Sequence, residues 1–283
     1  MAINLELVGK QSDPEIYEYD WRQCVLYALG VGAGNAEVDE LPFLFEGAEG
    51  GLAVLPTFAV IPSFRALISV TMNLNVNPMA ILHGEQKIVL HRPIPESGTM
   101  STTSEVTGIY DKTKGALAVV EARTTIAGEP VFDNVFSIFV KGEGGFGGDR
   151  GPAPVQADPP EDRAPDFRVE YPTLPQQALL YRLSGDTNPI HAAPQFAAMA
   201  GFEKPILHGL CTFGHVGRAI LHSACDGDPA RLRSFAARFA SVVYPGDTII
   251  TEGWKQDDGT CIVRAGTQRG NVVLSNALVE IAA

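Results

Sequence analysis

The chain has 283 residues, 45% of them hydrophobic, and a formal net charge of −12. That length and apolar content allow one large or two modest domains with a buried core. The negative balance argues against a nucleic-acid surface, so an anionic ligand has to meet a local basic patch. No apolar run reaches the roughly 18 residues of a membrane-spanning helix. The opening MAINLELVGK lacks the apolar region of a secretory signal, and the final IAA is no peroxisomal address. Cys24, Cys211, Cys225 and Cys261 stand without CxxC spacing among small or apolar neighbours. They read as reduced thiols of a cytoplasmic protein.

In chain order, residues 20–30 (DWRQCVLYALG) predict a short helix, with Asp20 as N-cap and Gly30 as its stop. After a loop to Gly51, the apolar LAVLPTFAVIPSFRALISV predicts a buried helix, begun at Pro56 and kinked at Pro62. From Lys87 to Lys141 the pattern becomes alternating and β-branched (KIVLHRPIP, TMSTTSEVTGIY, KGALAVVEARTTI, PVFDNVFSIFV), which predicts an antiparallel meander. Residues 142–166 are rich in Gly, Pro and Asp and read as a linker. The order of elements then returns: a helix-like TLPQQALLYRL, a polar DTNPIH turn, the apolar helix GLCTFGHVGRAILHSA, and four strand-like runs at about 234–243, 247–256, 261–268 and 271–282.

That return is an internal repeat. VLYALGVGAG (25–34) lies over LLYRLSGDTN (179–188), matching Tyr27 to Tyr181 and Leu29 to Leu183, and LPTFAVIPSFRAL lies over LHGLCTFGHVGRAI. Gly32 and Gly34 then stand where the second copy has Asp186 and Asn188, and no histidine follows. The expected organisation is a first repeat over 1–141, the linker over 142–166, and a second repeat over 167–283 that keeps the chemistry. Each repeat would be a sheet wrapped around its helix, an α+β fold. A plain α+β domain with the helix on one sheet face is the alternative.

The chemistry concentrates between Tyr181 and Leu221. Asp186, Asn188 and His191 share a turn in which Asn and Asp bond their own backbone and Pro189 fixes φ, a rigid mount for a carboxylate and an imidazole around one water. His208-Gly209 opens the apolar helix, so the Gly209 N–H is an unpaired helix-start donor suited to an oxyanion. Singly, Asp186 is a turn residue, His208 and His215 are core or helix-end histidines, and Tyr181 is core. A metal reading with Asp186, His191 and His208 as a facial triad lacks a supporting carboxylate or HxxxH pair. GVGAG (30–34) follows a helix rather than a strand, and GGFGGDRG lacks GK[ST], so neither is a nucleotide loop.

YRLSGDTNPIH, the following Pro194-Gln195-Phe196-Ala197, GFEKPILHGLCTFG, RFASVVYPGDT, LYALGVGAG, LPTFAVI, LHGEQ and GGFGG together resemble the hydratase 2 family of MaoC-like (R)-specific enoyl-CoA hydratases, from about residue 17 to the C-terminus. The resemblance implies a double hot dog fold and a homodimer that acts on acyl-CoA without metal or redox cofactor. It implies Asp186 and His191 as the acid/base pair, Asn188 as a water ligand, and Gly209 as the binder of the thioester carbonyl. His83, Gly84, Lys112 and Phe239 match positions that contact the CoA ester, with Tyr181 and His208 expected beside the substrate. Glu46 lies where some members carry an acidic residue important for activity. Lys112, Lys114 and Arg269 are candidates for the CoA phosphates. An acyl-CoA thioesterase and a non-catalytic acyl-CoA-binding protein are the competing readings, and the glycine-bearing first repeat is expected to house the acyl chain.

Overall fold

The computed structural model describes residues 3–35, 39–153 and 156–282. The first two residues of the opening stretch and the last of IAA therefore lie outside it. Helix α1 (Trp21–Gly30) starts where expected. Asp20 accepts from the Arg22 N–H at 2.7 Å while the Gln23 side chain takes the Asp20 N–H at 2.9 Å, a reciprocal cap that satisfies two orphan donors. The apolar stretch over 52–70 becomes a 3-10 turn at Pro56–Ala59 that runs into α2 (Val60–Met72). Pro62 falls in the first turn of α2, where a missing N–H costs no helical bond, so it begins the helix instead of kinking it.

The strands are β1 (Glu15–Tyr19), β2 (Ile81–Leu90), β3 (Gly98–Asp111), β4 (Gly115–Ile126), β5 (Glu129–Lys141), β6 (Phe167–Pro172), β7 (Leu232–Phe239), β8 (Thr248–Lys255), β9 (Thr260–Thr267) and β10 (Val272–Ile281). They form one sheet in the order β1-β3-β4-β5-β2-β7-β10-β9-β8-β6. Read from its two ends, that order is the same path traced twice. The copies meet at the centre, where β2 pairs antiparallel with β7 from Glu85↔Arg238 to Val89↔Ser234. Two edge strands, β1 and β6, were not expected. Both are short and half-exposed, so they carry little of the apolar signal that marks a strand in sequence.

Helices α3 (Gln177–Tyr181), α4 (Pro194–Met199) and α5 (Gly209–Ala224) complete the chain. Helix α2 packs on β3 and β4, and α5 on β8 and β7, so each half is a sheet around a helix and the whole is a double hot dog. On β4 the inward residues are Ala116, Ala118, Val120 and Ala122, small enough for Leu67, Val70 and Leu74 to sit close above them. Helix α5 is buried almost all round, whereas α2 leaves Ile68 and Met72 exposed. The Gly/Pro-rich stretch after β5 doubles back on the β3–β4 turn, where the Asp111 carboxylate accepts from the N–H groups of Gly145 and Gly147 at 2.9 and 2.8 Å. Those bonds hold its pKa below the ordinary carboxylate value.

Candidate active site

After α3 the chain makes a 3-10 turn (Arg182–Ser184), passes Gly185, and enters the polar loop. The loop is held by its own side chains. Asp186 Oδ1 accepts from the Asn188 N–H and Asn188 Oδ1 from the Ile190 N–H, both at 3.1 Å, and Pro189 starts one more 3-10 turn that ends at His191. The Asn188 carbonyl oxygen is thus spent on the cap, which leaves its amide N–H groups as the donors it can offer.

Hydrogen bonds decide both imidazole tautomers. His191 Nδ1 lies 2.9 Å from the Ile206 carbonyl oxygen; a carbonyl only accepts, so Nδ1 carries the proton and Nε2 holds the lone pair of a base. His208 Nε2 lies 3.1 Å from the Asp186 carbonyl and is protonated by the same reasoning. The two rings stack 3.7 Å apart at 26°. Burial lowers the His191 pKa, a shift opposed by the bond to Ile206 and by the Asp186 charge. Burial, with the neighbouring His191, takes His208 down to about 3.

Asp186, Asn188, His191, Gly209 and Phe239 share one end of a cavity of about 720 Å³. The first half also lines it, with Phe64, Leu67, Ile68 and Thr71 of α2 and Ile81 and Leu82 of β2. Gly209 is the first residue of α5, so its N–H has no acceptor inside the helix. A side chain there would place Cβ 3.2 Å from the Phe239 ring, so glycine keeps that donor reachable beside the aromatic wall. The register of β2 against β5 slips between His83 and Glu85, and at this bulge His83 and Gly84 line the cavity. His83 Nε2 donates to the Glu85 carbonyl at 3.1 Å, its ring meets Phe239 edge-on at 4.9 Å, and burial takes its pKa down to about 4.

Other expected site residues lie elsewhere. His208 and Tyr181 are 1% exposed and sit behind the loop rather than on the cavity wall, with ring centroids 4.9 Å apart. Glu46 is exposed and does not line the cavity; the buried acid of that loop is Glu40, which binds Arg218. Lys112 is half-buried and donates to the Arg150 carbonyl. Lys114 lies on the same β3–β4 turn. Arg269 pairs with Asp247 at 2.8 Å and covers the Tyr244 ring, which Lys204 also faces. Arg238 and the apolar face of α2 line the cavity without having been singled out. The 64, 67/68, 71 spacing of that face was a readable helical stripe.

Ligand atoms of Asp186, His191 and His208 lie within 4.8 Å of one another, so a metal has to be considered. The two rings are stacked nearly parallel, and one nitrogen of each is a donor to a backbone carbonyl. Their remaining lone pairs do not converge on a point, and the residues do not fit an ion.

Residues 17–142 match the family model of the MFE-2 hydratase 2 N-terminal domain, and residues 156–279 that of the MaoC-like domain. The chain belongs to the hydratase 2 family. It is 43% identical to a Mycobacterium tuberculosis protein named 3-hydroxyacyl-thioester dehydratase Y, with all of both chains covered. It is 40% identical to the probable enoyl-CoA hydratase 2 of Dictyostelium discoideum over 98% of this chain and 95% of that one. The crystal structure of a MaoC-like dehydratase from Phytophthora capsici superposes with a TM-score of 0.88 at 31% identity, covering 99% of this chain and 98% of the other. The hydratase 2 fold of this chain thus places the acid, imidazole and helix-start glycine at one end of a cavity to which both halves contribute.

Proposed function

We propose that the chain hydrates trans-2-enoyl-CoA reversibly to (R)-3-hydroxyacyl-CoA. One observation carries this reading: an imidazole lone pair, a carboxylate and a helix-start N–H share the polar end of a cavity that is otherwise largely apolar. Water held by Asp186, with an Asn188 amide donor, gives a proton to His191 Nε2 as its oxygen adds to C3. The Gly209 N–H, at the positive end of α5, takes the negative charge that develops on the thioester oxygen. The imidazolium then returns the proton to C2 on the same face, so the net change is syn addition of one water. His83, Gly84 and Phe239 flank the thioester, and the α2 wall takes the acyl chain. Lys112, Lys114 and Arg269 are the cationic groups proposed for the CoA phosphates.

Four unpaired, buried cysteines support a reducing, cytoplasmic setting. Among the described residues no helix is long and apolar enough to cross a membrane. Leu29, Leu179 and Leu183 are exposed on neighbouring elements and support a homodimer, which sedimentation would test. The central experiment follows loss of enoyl absorbance with short- and medium-chain trans-2-enoyl-CoA and reads product chirality with stereospecific dehydrogenases. The (R)-alcohol is expected. Free CoA without hydration would make the protein a thioesterase, and no product would overturn catalysis on these substrates.

A further inference from the structure

We propose that His208 is a positioning residue that ties the acid/base loop to the oxyanion end of α5. The inference rests on the hydratase reading and gives a task to a side chain that does not reach the cavity.

Three features of one residue carry it. The main chain of His208 is the N-cap of α5, and its carbonyl accepts from the N–H groups of Cys211 and Thr212, both at 3.1 Å. An N-cap side chain ordinarily accepts from the first turn, but this imidazole makes no cap bond and instead donates Nε2–H to the Asp186 carbonyl. Its ring face lies against His191. One rigid residue therefore sets the spacing between the carboxylate, the base and the N–H of the residue that follows it, Gly209. A longer or more flexible tether would let the loop drift from the helix start, and about 1 Å of misplacement is enough to cost two orders of magnitude in rate.

The surroundings keep the ring neutral and in place. The titratable groups facing it are His191 and Asp186 from the loop, Tyr181 from α3, and Arg182 from the turn after α3. Burial, the neighbouring His191 and the Arg182 guanidinium disfavour a charge on His208, and the bond to the Asp186 carbonyl keeps the proton on Nε2. No second positive charge arises beside His191 when that ring takes up its proton.

The test uses the full chain and hydration of trans-2-octenoyl-CoA. His208→Phe keeps a flat ring against His191 but loses the donor. It is expected to lower kcat about 10²-fold while KM stays within about twofold and the acid limb of the pH profile does not move. His208→Ala is expected to lose as much in kcat and also to shift that limb upward, because water admitted beside His191 relieves the burial that depresses its pKa. NMR titration of the His191 ring reads the same shift independently of turnover. His208→Gln, whose amide can reach the Asp186 carbonyl, is expected to recover part of kcat. Should His208→Ala fail to fold, the Phe and Gln variants decide the matter. A His208→Phe enzyme with kcat within threefold of wild type overturns the proposal, as does a loss expressed in KM, which would place His208 against substrate. A wild-type protein that does not hydrate the substrate overturns the hydratase reading, and this inference with it; an active wild type with an equally active Phe variant overturns this inference alone.

Discussion

The two halves follow one path through the sheet and end in opposite states at the loop after their first helix. In the second half the loop after α3 carries Asp186, Asn188 and His191 and opens on the cavity. In the first, the loop after α1 begins VGAG (31–34) and is packed shut. Gly32 has φ +80°, and a Cβ there would lie 2.6 Å from His215 Nε2. Arg218 of α5 fills the space: its Nε and Nη2 each reach the Glu40 carboxylate at 2.7 Å, and its Nη1 reaches the Val31 carbonyl at 2.8 Å. Glu40 also accepts from the Gly34 N–H at 2.7 Å, and His222 lies 3.2 Å from it. The complementary difference is on the helices. Helix α5 is buried almost throughout, while α2 turns an open apolar face to the cavity. A duplicated backbone can thus open one loop while closing the other, with the helix of the second half filling the loop of the first and the helix of the first half lining the cavity.

The sharpest break of that contrast is Asp186→Asn, expected to lower kcat/KM by about 10²–10⁴-fold in the enoyl-CoA assay with an unchanged circular dichroism spectrum. Near wild-type turnover would remove the catalytic half from the comparison. Next comes the plug. Glu40→Ala leaves Arg218 buried and uncompensated and is expected to cost about 3–5 kcal/mol in a denaturant titration. The double change Glu40→Leu with Arg218→Met is expected to cost much less than the two single losses summed, since the charge and its partner leave together. Gly32→Ala meets both the positive φ and the His215 contact and is expected to lose about 1–3 kcal/mol, visible as a lower Tm, with activity per folded molecule retained. Ile68→Trp, on the exposed, cavity-lining side of α2, is expected to shift the medium- to short-chain ratio of kcat/KM by roughly tenfold toward short chains, on the scale of a few methylenes of lost pocket. An unchanged ratio would mean that the acyl chain lies elsewhere.

The smallest effects are in pH. In the proposed reaction His191 is a neutral base, and its pKa is lowered by burial, so the acid limb of kcat/KM is expected below the ordinary imidazole value of about 6.5. His208 and His215 are neutral in the fold, each with a pKa of about 3, whereas in the unfolded chain they charge near 6.5. The unfolded state then binds more protons between those values, so the stability they contribute is complete above about 6.5 and falls as pH drops toward 3. Glu40 adds to this at lower pH. Burial pushes its pKa up, but the bonds from His222 and Arg218 outweigh it and hold the group at about 2, so its contribution fades as pH falls from about 4.5 toward 2. Melting curves across pH 7 to 4 are expected to show a steady fall in Tm, flattened by replacing His215 with a residue that does not titrate.

Local features were legible because they close over a few residues. The Asp20 cap, the stop at Gly30 and the self-bonded DTNPIH turn all depend on partners within four positions, and the structure has each of them, while the strands show in the alternation of their own side chains. The repeat predicted a sheet around each helix by the same route, since element order survives even where residues diverge. The short edges β1 and β6 were missed because half-exposed strands carry little hydrophobic period, and Pro62 was misread because a kink and a helix start look alike in sequence.

By itself, then, the sequence determined the elements, their duplication and the half that keeps an acid, an amide and an imidazole. Only the tertiary structure decided how the halves join through β2 and β7, that α2 lines the same cavity as Asp186, that His208 and Tyr181 do not line it, and that Glu40 rather than Glu46 is the buried acid. Spacing encodes bonds that close within a turn. Partners such as Glu40 and Arg218, 178 residues apart, meet only because the packing of the two halves along one ten-stranded sheet brings them together.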